Sequence, residues 1–267
     1  MPKTLYFPIA KILLAAIVST SYLLSFADSF PAQDGDIEIT PLIHSSVQLE
    51  YGDIVVQVDP WGAAGLEGAK KADLIVITDN PGHHLDVEAV AKLSDENTSV
   101  VIAANGASQL PNAIVLVNGE MAKVAGVTIE AVSTYDIIPG VPEHPKGDAN
   151  GYVLTLGGKK LFFAGVTECV DEVKALRDID VAFMPLNIPL GRMTPAASAD
   201  CTKILDPSVV YSYHYDQDYA RRAVTPDYAG SELPGGISIE ESLDLFEAEL
   251  EETEIEYRRG PWYPVLN

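Results

Sequence analysis

Basic side chains are scarce in this chain: 17 lysines and arginines stand against 39 aspartates and glutamates, a formal net charge of −22. The basic pairs Lys70-Lys71, Lys159-Lys160, Arg221-Arg222 and Arg258-Arg259 are scattered among acids. Nucleic-acid backbones are held by clustered Lys and Arg, so this surface repels them and no nucleic-acid partner is expected. Cysteine is scarcer still. Cys169 and Cys201 are the only two, and their wide spacing fits neither a C-x-x-C redox motif nor a zinc knuckle. In an exported protein they can pair; the alternative is two buried thiols. The chain also lacks a G-x-S-x-G nucleophile elbow. Gly147-Asp148 and Gly157-Gly158-Lys159-Lys160 lack the strand–loop–helix grammar of a phosphate loop and read as turns.

What is present is enough for one substantial core. The chain has 267 residues, 47% of them hydrophobic, and nothing in it marks a second domain. Its first 27 residues contain no acid, carry Lys3 and Lys11, and run uncharged from Ile12 to Ala27, closing on Ser25-Phe26-Ala27. This reads as a signal peptide over residues 1–27 with a small-x-small cleavage site, leaving 28–267 as one exported domain, periplasmic or secreted. The alternative is an uncleaved membrane anchor through residues 12–27, because the apolar run is only slightly shorter than a membrane span. Cleavage removes two of the 17 basic residues and none of the 39 acids, taking the net charge to −24. No cysteine follows the segment in lipobox fashion, so lipid anchoring is not indicated.

Strand signals dominate the first half. Residues 37–39 and 47–50 alternate, Tyr51-Gly52-Asp53 turns the chain into a strand over 54–59, and further strands are expected at 72–77, 99–103, 114–117 and 127–132. A short amphipathic helix is expected over Val87–Leu93. Segments 152–156 and 160–164 flank Gly157-Gly158, a hairpin signal, and helices are plausible at 170–177, 195–204 and 238–250. This alternation fits an α/β, four-layer αββα sandwich with its site on one edge.

The most informative stretch is Ile77-Thr78-Asp79-Asn80-Pro81-Gly82-His83-His84-Leu85-Asp86, which follows the strand at 72–77 and leads into the helix beginning near Asp86. It resembles the T-H-x-H-x-D-H-x-D signature of the metallo-β-lactamase superfamily. Asp79 and Pro81 stand where the pattern has its two leading histidines, His83 stands where it has Asp, and His84 and Asp86 match. Residues 44–62, 138–168, 178–187, 193–200, 209–216 and 262–264 resemble, in order, segments of the branch typified by L-ascorbate-6-phosphate lactonase.

The resemblance implies a metallo-β-lactamase fold and a metal-dependent hydrolase of the ester, lactone or phosphoester class, using one or two divalent ions, usually zinc or manganese. Such an ion lowers the pKa of water and polarises the substrate oxygen. Of the family's first ion site this sequence keeps His144, substitutes Asp79 and loses a ligand at Pro81. Val166 stands where a bridging Asp is expected. Of the second site, His83, His84 and His214 remain, enough for one zinc or manganese ion, with no ion at all as the alternative. His44 is read as structural or as supporting a ligand. Glu168 and Asp148 are candidates for a general base or an orienting carboxylate, with structural capping as the other role for each. Tyr211, Tyr213 and Tyr215 alternate around His214, as strand residues facing a core or a pocket would. The partner implied is a small-molecule substrate. The competing reading is a catalytically inactive relative that binds a small molecule in the same cleft.

Overall fold

Two hairpins with glycine turns anchor the two halves of the chain. Gly52 adopts φ 57° between β3 (Ser46–Tyr51) and β4 (Ile54–Val58), while Gly157 (φ 55°) and Gly158 (φ 74°) join β10 (Asn150–Leu156) to β11 (Lys159–Phe163). Two consecutive positive-φ residues make the two-residue turn whose twist matches antiparallel strands, which only glycine accepts without strain. The computed structural model describes residues 27–66, 68–139, 144–186, 192–215, 238–260 and 262. The expected signal or anchor lies outside the described residues but for Ala27. Among those described, no helix is long and apolar enough to cross a membrane.

Each hairpin extends into a seven-stranded sheet. The first runs in chain order through β1 (Asp28–Ala32), β2 (Gly35–Ile43), β3, β4, β5 (Leu74–Ile77), β6 (Ser99–Ile102) and β7 (Ile114–Val115). The second runs through β8 (Met121–Val124), β9 (Val127–Ser133), β10, β11, β12 (Val181–Pro185), β13 (Val209–Tyr213) and β14 (Glu256–Arg258). In both sheets the first four strands pair antiparallel and the last four parallel. The two halves therefore repeat one topology.

Alternating side chains divide each sheet between two cores. The inner faces meet in a cluster holding Ile39, Leu49, Val56, Leu74, Val76, Ile129, Leu154, Phe163, Phe183 and Tyr211, with Phe163, Phe183 and Tyr211 stacked at ring separations of 4.4 and 4.8 Å. On the outer face of the first sheet, Ile75, Ile77 and Ile102 pack against Leu85, Ala89, Val90 and Leu93 of and beside α1 (Val87–Leu93). On the outer face of the second, Phe162, Ala182, Met184 and Val210 pack against α2 (Asp171–Lys174), α3 (Pro195–Leu205) and α4 (Ile239–Leu250). Helix, sheet, sheet and helix thus form the expected αββα sandwich.

Local chemistry sets the helix starts. Asp86, Thr194 and Ser238 cap α1, α3 and α4 by accepting from backbone N–H groups of the first turn, and Pro195 opens α3 where its missing N–H costs nothing. The structure adds the strands β1, β8 and β14, and shortens the expected helix at 170–177 to four residues. Strand β1 carries Pro31, tolerated because it lies at a sheet edge. Cys169 and Cys201 form a disulfide, Cα–Cα 5.7 Å, joining the segment after β11 to α3. Of the two expectations for these cysteines, the buried free thiols are the one overturned.

Candidate metal centre

The carboxyl ends of the parallel strands converge on one edge of the sandwich, where open α/β sheets place their sites. Beyond β5 the chain makes a tight turn in which the Pro81 carbonyl accepts from both His84 N and Leu85 N at 2.8 Å. Pro81 offers no ligand atom, yet its carbonyl sets the turn that presents His83 and His84. Immediately after β13 comes His214, and in the turn between β2 and β3 sits His44. The His214 N–H donates to the His44 carbonyl at 3.0 Å, tying the two sheets together.

Three residues here share an unusual backbone. His44 (φ 57°), Asp59 (φ 43°) and His214 (φ 58°) occupy the left-handed region, where a side chain with a Cβ costs roughly 1–2 kcal/mol. Such strain survives only where surrounding contacts over-determine it, and it concentrates at functional sites.

His44, His83, His84 and His214 each offer a ring nitrogen within 4.8 Å of the others. His44, His84 and His214 are buried and His83 is partly exposed. His84 and His214 face one another through their Nε2 atoms at 3.1 Å with rings nearly parallel. His84 is oriented from behind: its Nδ1 lies 2.7 Å from Asp59 Oδ2 and 3.2 Å from the hydroxyls of Ser45 and Thr78. Asp59 is fully buried and also accepts from Thr78 N (2.8 Å) and Thr78 Oγ1 (2.6 Å). An Nδ1–H donated to this carboxylate leaves the His84 Nε2 lone pair pointing into the cluster, the arrangement that fixes the tautomer of a metal-binding histidine.

Electrostatics separate the two central rings. Burial pushes the His214 imidazole well below its ordinary pKa, and the neighbouring His44, His84, His83 and His144 push it further. Burial also opposes protonation of His84, but the charge and hydrogen bond of Asp59, with help from Asp79, raise its pKa on balance. His214 is thus neutral, the form that binds a cation. Its Nδ1 is buried without a hydrogen-bond partner among the described residues. Converging ring nitrogens, a neutral His214 and a carboxylate-anchored His84 fit a single divalent cation.

The other residues expected at the site form a separate group. Asp79 Oδ1 accepts from Asn80 N (2.8 Å) and Asn105 Nδ2 (2.6 Å), and its Oδ2 lies 3.7 Å from His144 Nε2. The other His144 ring nitrogen lies 3.4 Å from Asp136 Oδ2, so each has a carboxylate nearby, and His144 is close enough to the cluster to lower the His214 pKa. Glu168 Oε2 accepts from Ile137 N and Ile138 N at 2.6 Å, and its Oε1 accepts from Arg192 Nη1 at 2.6 Å. Oε2 thus holds the backbone at 137–138 and Oε1 holds Arg192, the structural role that the sequence offered for Glu168 beside that of a base. Asp148 is exposed in a turn, its N–H directed at the Pro145 carbonyl. Val166 is buried where the resemblance implied a bridging carboxylate, and Asp86 caps α1 and accepts from Gly62 N (2.9 Å). Tyr211 and Tyr213 belong to the inner core and Tyr215 to the outer one. Sequence reasoning read His44 as structural or supporting, and the structure places its ring among the four; Asp59 was overlooked, although an acid ending a buried strand was an available signal.

An αββα sandwich with histidines gathered at one edge defines the metallo-β-lactamase fold. The chain belongs to that superfamily: the family described as Beta-lactamase superfamily domain matches residues 38–214, a span that ends on the last histidine of the cluster. It is 25% identical over 194 residues to a UPF0173 metal-dependent hydrolase of Thermus thermophilus, covering 67% of this chain and 84% of that protein. A UPF0173 metal-dependent hydrolase of Pyrococcus abyssi is 26% identical over 196 residues, covering 67% and 85%. Among solved structures, a protein of Parabacteroides distasonis provisionally named a metal-dependent hydrolase is 32% identical, with TM-score 0.73, covering 87% of this chain and 96% of that one. These likenesses reach the superfamily and do not single out its lactonase-like branch.

Proposed function

We propose that the protein is a metal-dependent hydrolase acting on a small ester, lactone or phosphoester, with one ion held by His83, His84 and His214. The observation that carries this reading is the convergence of four imidazoles within reach of one ion, with Asp59 fixing His84. A divalent cation bound there supplies Lewis acidity, making water more acidic and polarising the scissile carbonyl or phosphoryl group. Nitrogen donors suit zinc better than manganese, which favours oxygen ligands. Asp59 holds the His84 ring, and the buried surroundings of His44, His84 and His214 restrict water. The strong net acidity favours neutral over anionic substrates.

Elemental analysis of the purified mature protein after zinc loading and dialysis, together with turnover of p-nitrophenyl acetate, γ-butyrolactone and bis-p-nitrophenyl phosphate, tests the proposal. One equivalent of zinc and zinc-dependent turnover of at least one probe are expected, both lost in His214→Ala. Two tightly held equivalents sink the single-ion centre. One equivalent without turnover favours the second reading, a binding protein using the same cleft, which the replacements at Asp79, Pro81 and Val166 support.

We infer in addition that the protein is exported. The disulfide suits an oxidising compartment, and β1 opens at Asp28, directly after the expected cleavage site. The mature N-terminus is expected at or near Asp28 by N-terminal sequencing; a full-length cytosolic product overturns the inference.

A further inference from the structure

We propose that His44 is a fourth ligand, turning the centre into an all-nitrogen site, with His83 as its exchangeable member. The proposal deepens the metal-centre reading above and rests on it. His44 is buried, its ring centroid lies 3.9 Å from that of His214 and 5.0 Å from that of His83, and it belongs to the same group of converging nitrogens. Its backbone is held left-handed and locked to the left-handed His214 by the 3.0 Å hydrogen bond across the sheets. Glycine or asparagine fills such a turn position with less strain, so a histidine here is explained by what its ring does.

Geometry leaves room for a small ion. Ligands at about 2.0–2.1 Å on a tetrahedral zinc stand roughly 3.3 Å apart. The His84–His214 pair already meets that edge at 3.1 Å, and no separation in the group exceeds 4.8 Å, so closure of at most about 1.5 Å is needed. Four imidazoles and no carboxylate select borderline cations such as Zn²⁺, Co²⁺, Ni²⁺ or Cu²⁺ over the oxygen-seeking Mg²⁺, Ca²⁺ and Mn²⁺. Four protein ligands also saturate a tetrahedral ion, whereas a hydrolytic centre keeps one position open. One histidine must therefore yield. His83 is the partly exposed member and stands beside Gly82 in the turn, while His44 and His214 are buried at strand ends and His84 is buried against Asp59.

Metal binding to the full mature chain, read independently of activity, tests this. Zn²⁺ affinity is measured by competition with a chelator, coordination by the visible spectrum of the Co²⁺ form, and selectivity by Mn²⁺ binding. The wild type should bind one Co²⁺ with an intense tetrahedral-type spectrum and prefer Zn²⁺ over Mn²⁺ by at least about a hundredfold. His44→Gly, whose backbone favours the native φ, should weaken Zn²⁺ at least about tenfold and alter the cobalt spectrum, and free imidazole should restore both. His83→Ala should weaken Zn²⁺ less than His44→Gly does. Unchanged affinity and spectrum in His44→Gly overturn the proposal, as does a loss that imidazole cannot rescue in a variant with native circular dichroism. The hydrolytic reading is judged separately, by turnover in the wild type.

Discussion

The four-histidine cluster and the Asp79–His144–Asp136–Arg192–Glu168 chain lie side by side on one edge of the sandwich, yet they spend their polar atoms in opposite ways. In the cluster, ring nitrogens converge on each other, and His214, which meets His84 through Nε2, leaves its Nδ1 without a partner among the described residues. In the chain, carboxylates and cations are matched in sequence, and the oxygens of Glu168 are all committed. Ligand-type residues make a metal site only when their lone pairs point at a common empty position. By that standard the first region is a site and the second is a brace.

Substitution of Asp59 should sharpen the contrast most. Asp59→Asn leaves Thr78 donors facing an amide and removes the acceptor of the His84 Nδ1–H. Zinc affinity should fall about 10–100-fold, and the metal-free protein should lose roughly 3–5 kcal/mol, as when a buried ion pair loses one partner. Chelator competition and denaturant melts check the two effects; a variant with wild-type affinity would show that Asp59 does not orient a ligand.

In the other region, Glu168→Gln should cost about 3 kcal/mol of stability, because Arg192 is left buried beside a neutral amide, while zinc affinity stays within about twofold. If affinity collapses together with stability, the two regions are one unit and the contrast breaks.

Protonation offers a gentler probe. His214 has a folded-state pKa depressed by burial, so below the ordinary histidine value the unfolded chain takes a proton the folded chain refuses, and stability falls with acid by up to about 1.4 kcal/mol per pH unit. His84 is raised, so its contribution is full below about pH 6.5 and is lost as pH climbs through its folded value. Melts of zinc-free protein from pH 5 to 8 should peak near pH 6.5, with His214→Asn flattening the acid side. An unaltered acid side in that variant would assign the loss to other groups.

The smallest effect is expected at His144. His144→Gln should leave zinc stoichiometry and affinity unchanged and cost about 1 kcal/mol or less, since the ring is partly exposed and its contacts with Asp79 and Asp136 are long. Loss of a bound equivalent would make His144 a ligand after all.

Much of the fold was legible because its signals are local. Alternation marked β2 to β4, Gly157-Gly158 marked a hairpin, and Asp86 before an apolar stripe marked the start of α1. Strands β1, β8 and β14 were not legible: β1 and β14 are edge strands of their sheets and β8 is another, and such strands bury few side chains and carry weak patterns. At the site, the turn bearing His83 and His84 could be read from its place after a strand. The split between cluster and brace could not, because Asp79 is five residues from His84 in sequence and differs from it only in what its oxygens face.

By itself, then, the amino-acid sequence determined the order of strands and helices, the apolar faces that stack four layers, and the placing of histidines at strand ends, since each follows from periodicity, turn chemistry and short-range hydrogen bonding. Tertiary structure alone decided which side chains meet. His44 reaches His214 only because two sheets are tied by a backbone hydrogen bond between left-handed residues, and Asp59 lies behind His84 only because β4 and β5 are parallel neighbours. His144 has two carboxylates from separate loops beside its ring. Coordination needs lone pairs aimed within about 0.5 Å of one point, and that aim is a property of packed elements that residue spacing does not encode.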